Sequence, residues 1–130
     1  MSNPLCFDTR FFFEIFTSTN DETINKLREI ERNCPERHIS VITLHEVAHQ
    51  IVSLKGVTFS NIVIKQIQAK YKVHFVDAEI ALKSAEFRVG HQIPMADSII
   101  ATTALRLNIA VCTDDPHFKT IPKSRTVWLK

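Results

Sequence analysis

Five short, mainly apolar runs constrain the fold of this chain more than any other feature. They are Leu5-Cys6-Phe7, Ile39 to Ile42, Val73 to Val76, Ile109 to Cys112 and Val127-Trp128-Leu129. Each is strand-sized and continuous rather than alternating, the pattern of a strand covered on both faces. Helical spacing fills the gaps. Leu44, Val47, Ala48, Ile51 and Val52 form one stripe, and Ala96, Ile99, Ile100, Thr103, Ala104 and Leu107 another. Ile24, Leu27, Arg28 and Ile30 make a weaker third. Further helices are expected over roughly 9–17, 58–70 and 78–90, with ends uncertain by about 2–4 residues. Strands alternating with helices predict an α/β fold built on a mainly parallel sheet. A chain of 130 residues, 45% hydrophobic, suits a single domain, 1–130, with a substantial core.

Composition narrows the chemistry. The only glycines are Gly56 and Gly90. Phosphate cradles of the P-loop or dinucleotide type need several glycines in one turn, so both are excluded. Cys6, Cys34 and Cys112 lack a zinc-type CxxC spacing, and their odd number fits free thiols in a reducing, cytoplasmic setting. The start, MSNPLCFD, has no signal-peptide core, and no apolar run is long enough to span a bilayer. Net charge is +2, too small to argue for nucleic acid by itself. After Asp115, however, there is no acid, while His117, Lys119, Lys123, Arg125 and Lys130 follow. Such a stretch could contact phosphate or be a solvated tail.

In parallel α/β sheets the reactive site lies beyond the carboxyl ends of the strands. Asp8 follows the first run, Glu46 stands one turn into the helix after the second, and Asp77 follows the third. Asp97 opens the helix before the fourth run, and Asp114 and Asp115 follow it. Nearly half of the chain's fourteen acids thus gather at one edge. Each has a local explanation. Thr43 and Glu46 have capping-box spacing, Asp77 can cap the next helix, and Asp97 suits a helix N-terminal dipole. Such contacts return about 0.3–1 kcal/mol. Two carboxylates about 4–5 Å apart repel by about 3–4 kcal/mol at an effective dielectric near 20. Packed acids therefore need a cation, and oxygen donors select Mg²⁺ or Mn²⁺. Ions of this kind typically meet phosphate and activate a water.

His45-Glu46-Val47-Ala48-His49 also matches the HExxH zinc-protease pattern. A third ligand is missing: the extended pattern wants Gly and His where Val52 and Lys55 stand. His45 and His49 lie opposite the apolar stripe of their helix and receive no catalytic role.

The motifs resemble those of PIN-domain nucleases along essentially the whole chain. Phe7-Asp8-Thr9 resembles their first aspartate motif, and Thr43-Leu44-His45-Glu46-Val47 their helix-borne glutamate. Ala96-Asp97-Ser98-Ile99-Ile100-Ala101-Thr102-Thr103-Ala104 is similar to their AD-xx-IA-xxA segment, the most specific match. Thr113-Asp114-Asp115-Pro116-His117-Phe118 resembles T-x-D-x-x-F. The resemblance implies a three-layer domain with strand order 3-2-1-4-5. It implies catalytic and metal-binding roles for Asp8, Glu46, Asp97 and Asp115, with Thr113 supporting and Asp114 a solvent-facing neighbour. Asp77 has no counterpart and is assigned to capping. Arg10, where the family often has a small residue, is left between phosphate contact and plain surface.

The chain is most similar to single-domain toxin ribonucleases of VapC type. That likeness implies Mg²⁺ or Mn²⁺, an RNA substrate, a VapB-like antitoxin and a homodimer. Phe11, Phe12, Phe13 and Phe16 crowd one segment, which either packs inside or leaves an aromatic patch for a partner. A PIN nuclease of RNA maturation and a catalytically silent interaction module are the competing readings.

Overall fold

The computed structural model describes residues 3–129; Met1, Ser2 and Lys130, the last cation of the basic stretch, lie outside the described residues. The elements are β1 (Leu5–Phe7), α1 (Thr9–Thr17), α2 (Asp21–Asn33), β2 (Arg37–Ser40), α3 (Val41–Lys55) and α4 (Val57–Lys70). There follow β3 (Lys72–His74), α5 (Ala78–Arg88), α6 (Met95–Leu107), β4 (Ala110–Cys112), a 3-10 turn (Pro116–Thr120) and β5 (Thr126–Val127). The five strands pair in the order β3-β2-β1-β4-β5, every pair parallel, as expected.

The period-2 geometry of β1 and β4 divides the core into two layers. Leu5 and Phe7, with Ala110 and Cys112, face a cluster formed with Phe11, Leu27, Val47, Ile51, Val63, Ile67 and Tyr71, from α1 to α4. Cys6 and Val111 point the other way, into Ile93, Ile100, Ala101, Ala104, Phe118 and Ile121 around α6. The two helical layers sandwich the sheet. Phe7, Phe11, Phe12 and Tyr71 meet edge to face, with centroids 4.7–5.4 Å apart. Of the four clustered phenylalanines, Phe11 and Phe12 are buried, Phe13 is partly buried and Phe16 is 40% exposed.

Burial on both faces holds for β1 and β4 and nearly so for β2. The outer strands β3 and β5 are half open, as edge strands are, and both are shorter than their apolar runs predict. β2 ends at Ser40 because the Ser40 side chain accepts a bond from the Ile42 amide and starts α3 three residues earlier than expected. This overturns the capping box. Thr43 lies inside α3, buried, and its hydroxyl has no hydrogen-bond partner. The expected helices at 9–17, 58–70 and 78–90 appear within two residues at each end. Asp77 does cap α5, accepting from the Ile80 amide at 2.9 Å. α6 ends on Asn108 in the left-handed conformation, which lets the chain turn directly into β4.

Candidate metal centre

β1 is the switch point of the sheet, with β2 on one side and β4 on the other, so a crevice opens where their carboxyl ends diverge. Asp8 stands at the head of β1 and is 2% exposed. Its amide bonds the Cys112 carbonyl at 3.2 Å, which ties the ends of β1 and β4 together. The Thr113 hydroxyl donates to Asp8 Oδ2 at 2.7 Å and accepts from the Asp115 amide at 3.1 Å. Asp115 Oδ1 in turn accepts the His117 amide at 2.9 Å, with Pro116 opening the 3-10 turn. This folds the His117 ring back. Its Nδ1 lies 3.1 Å from Asp97 Oδ2, in the first turn of α6, and 2.9 Å from Asp115 Oδ1. On the other flank, the Thr9 hydroxyl donates to Glu46 Oε1 at 2.6 Å.

One chain of contacts thus runs from Glu46 through Thr9, Asp8, Thr113 and Asp115 to His117 and Asp97. It draws on α3, the β1–α1 junction, the loop after β4 and α6. The acids feel one another. Burial, with the charge of Asp97 adding, pushes the Asp8 carboxyl up to about 7. Burial, with Asp115 and more weakly Glu46 adding, pushes Asp97 up to about 6, although His117 opposes this. Carboxyls held this far above their ordinary range in one crevice mark an environment short of positive charge. Asp97, Asp115 and His117 offer donor atoms all within 4.8 Å of one another. Asp8 and Glu46 are not in that trio and adjoin it by charge and hydrogen bonding.

The remaining acids are elsewhere engaged. Asp114 is exposed, yet it is paired: Arg10 Nε lies 3.0 Å from its Oδ1, and the same guanidinium reaches Glu14 at 3.2 Å. Arg10 is therefore the rim residue that clamps the loop after β4 to α1. Asp77 pairs with Arg106 at 2.6 Å. His45 and His49 are exposed on α3, and among the described residues they join no group of three clustered donors. With Glu46 held by Thr9, the HExxH geometry of a zinc protease is not assembled. Two participants escaped the sequence reading. Thr9 carried no signal beyond its place after Asp8. His117 was grouped with the basic tail, although Asp115-Pro116 before it is a turn-starting pair that returns the next side chain to the aspartate.

Fold and site together define a three-layer parallel α/β domain with an acid-lined crevice at its switch point. The chain belongs to the PIN domain family, whose model matches residues 5–124. Among curated proteins no sequence matches significantly. Solved structures match along nearly their whole length. A VapBC2 complex from Rickettsia felis, bound to promoter DNA, superposes with a TM-score of 0.76 at 19% identity, covering 100% of each chain. FitAcB from Neisseria gonorrhoeae gives 0.74 at 20%, covering 94% of this chain and 95% of that one. VapC20 of Mycobacterium tuberculosis, described as a sarcin–ricin-loop-cleaving toxin, gives 0.75 at 16%, covering 93% and 98%. At these identities the likeness establishes the fold.

Proposed function

We propose that this chain is a divalent-metal-dependent endoribonuclease, the toxin of a type II toxin–antitoxin pair, with Asp8, Glu46, Asp97 and Asp115 as its catalytic acids. One observation carries the reading: Asp97 and Asp115, from α6 and the loop after β4, converge with His117 within 4.8 Å, and hydrogen bonds through Thr113 and Thr9 tie Asp8 and Glu46 into the same chain of contacts. That arrangement costs stability as it stands, and a cation relieves it. The donors are carboxylate oxygens and one imidazole, a set that fits Mg²⁺ or Mn²⁺. Asp8 and Asp97 would hold the ion directly, with Glu46 and Asp115 completing its shell. Bound there, the ion supplies Lewis acidity and a lowered pKa for an attacking water.

The protein's own groups set the geometry. Thr113 holds Asp8 Oδ2 and the Asp115 amide in one register, and Thr9 aims Glu46 at the crevice. Burial of Asp8 keeps bulk water from screening its charge. Lys119, exposed after the site, offers positive charge to an incoming phosphate backbone, whereas the charge of Arg10 is already matched by Asp114 and Glu14. An antitoxin partner is supported by the neighbours, several of which are toxin–antitoxin complexes, and RNA as substrate by one described as a sarcin–ricin-loop-cleaving toxin; a homodimer belongs to the same reading and rests on the motif resemblance. Apolar side chains left open on α1, α3 and α4, namely Phe16, Leu54, Phe59 and Ile62, give such partners surface to bury. Among the described residues no helix is long and apolar enough to cross a membrane.

The test is cleavage of defined RNAs by purified protein with Mn²⁺ or with EDTA, beside Asp8→Asn. Cleavage should require the metal and be lost in Asp8→Asn. Equal cleavage in EDTA refutes the metal requirement, and an active Asp8→Asn refutes the site. If wild type with Mn²⁺ leaves every RNA uncut, the silent-module reading takes over.

A further inference from the structure

The four acids do not account for His117. Its ring is held rather than free: the Asp115 carboxylate takes the His117 amide, and the turn that follows brings Nδ1 to 2.9 Å from Asp115 Oδ1 and 3.1 Å from Asp97 Oδ2. Neighbouring donors around an octahedral ion are separated by about 1.4 times the bond length. For bonds of about 2.0–2.2 Å this is about 2.8–3.1 Å. The two separations fit ligands sharing the edges of one octahedron, as they also fit hydrogen bonds from a protonated ring nitrogen. All three donor atoms lie within 4.8 Å of one another, close to the span of a single ion's shell.

Resting on the metal-dependent reading above, we propose that His117 is a direct nitrogen ligand of the ion held by Asp97 and Asp115, and that it makes this centre prefer Mn²⁺ to Mg²⁺. The chemistry gives the direction. Mg²⁺ is a hard ion that favours oxygen and sheds its waters reluctantly, so an imidazole in its shell gains little. Mn²⁺ accepts nitrogen and oxygen ligands together more readily. An all-oxygen version of the centre would discriminate less. Residue 117 is thus a specificity determinant for the ion, placed by a turn that Asp115 itself caps.

The experiment uses Mn²⁺ alone as probe. Electron spin-echo spectra of the Mn²⁺-loaded protein should show nitrogen modulation, which changes to the ¹⁵N pattern on labelling histidine and disappears in His117→Gln. Titration should show that His117→Gln weakens Mn²⁺ at least about tenfold and weakens Mg²⁺, read by competition, distinctly less. Nitrogen coupling absent from wild type, coupling that persists in His117→Gln, or equal weakening of both ions overturns the proposal. In the first of these cases His117 is only a tether donating N–H to the two carboxylates. If Mn²⁺ still binds and RNA is still cut, the acid-centred nuclease stands without His117 as a ligand. If wild type takes up no Mn²⁺, both readings fall.

Discussion

Replacing Asp8 by Asn tests how much stability the crevice gives up. Asp8 is 2% exposed, and burial raises its carboxyl from 3.8 to about 7. Because the folded pKa lies above the unfolded one, the native state binds the proton more tightly. The unfolding free energy therefore falls as pH rises from about 4 to about 7 and stays low above that. At about 1.4 kcal/mol per pKa unit the ionised side chain costs up to about 4 kcal/mol at pH 8. Structural relaxation brings this to about 2–4 kcal/mol. The isosteric carboxamide carries no charge and still offers Thr113 an oxygen in place of Oδ2. In EDTA at pH 8, Asp8→Asn should raise Tm by about 6–12 °C for a domain of this size. At pH 5 the wild-type carboxyl is protonated in the fold, so the gain should shrink to less than half. Saturating Mn²⁺ should cancel or reverse the order, since an ion at about 1,000 times its Kd adds about 4.1 kcal/mol to the wild type alone. The assay is calorimetry at the two pH values with and without metal. An Asn variant less stable than wild type in EDTA at pH 8, or a gain equal at both pH values, would refute the reasoning.

Three further outcomes follow from the same contacts. Asp97→Asn should lose RNA cleavage at least about a hundredfold and gain about 1–2 kcal/mol in EDTA at pH 8, because its carboxyl is raised less, to about 6; urea denaturation measures the gain. Ser40→Ala should cost about 1 kcal/mol as the true cap of α3, whereas Thr43→Val should be neutral or stabilising by up to about 1 kcal/mol, since it removes a buried hydroxyl without a partner. Thr113→Val should destabilise the fold by about 1–3 kcal/mol, more at pH 8 than at pH 5, because it strips a donor from ionised Asp8.

What the sequence made legible was set by local pattern. Leu5-Cys6-Phe7 and Ala110 to Cys112 read as buried strands because hydrophobicity on both faces leaves no alternation to misread. Asp8 could be placed because it directly follows a strand, and Asp115 because Thr113 and Phe118 set its register in a T-x-D-x-x-F segment. The start of α3 was read three residues late: Thr43 and Glu46 have the spacing of a box, but Ser40, hidden at the end of an apolar run, makes the bond. Pairings distant in sequence left no local trace. Thr9 meets Glu46 across 37 residues, Arg10 meets Asp114 across 104, and His117 meets Asp97 across 20. Each depends on strand order, which periodicity does not encode. Glu31 is a further case. It looks like a surface residue of α2, yet it is buried and accepts the Tyr71 hydroxyl, while Arg28 bonds its other oxygen.

The most direct measurement is anomalous diffraction from crystals of the wild type soaked in Mn²⁺. The account predicts a peak in the crevice between Asp8 and Asp97, with Asp115 and Glu46 around it, and no peak in Asp8→Asn crystals treated alike. A crevice without manganese, or manganese held only by exposed acids such as Asp114, would contradict it.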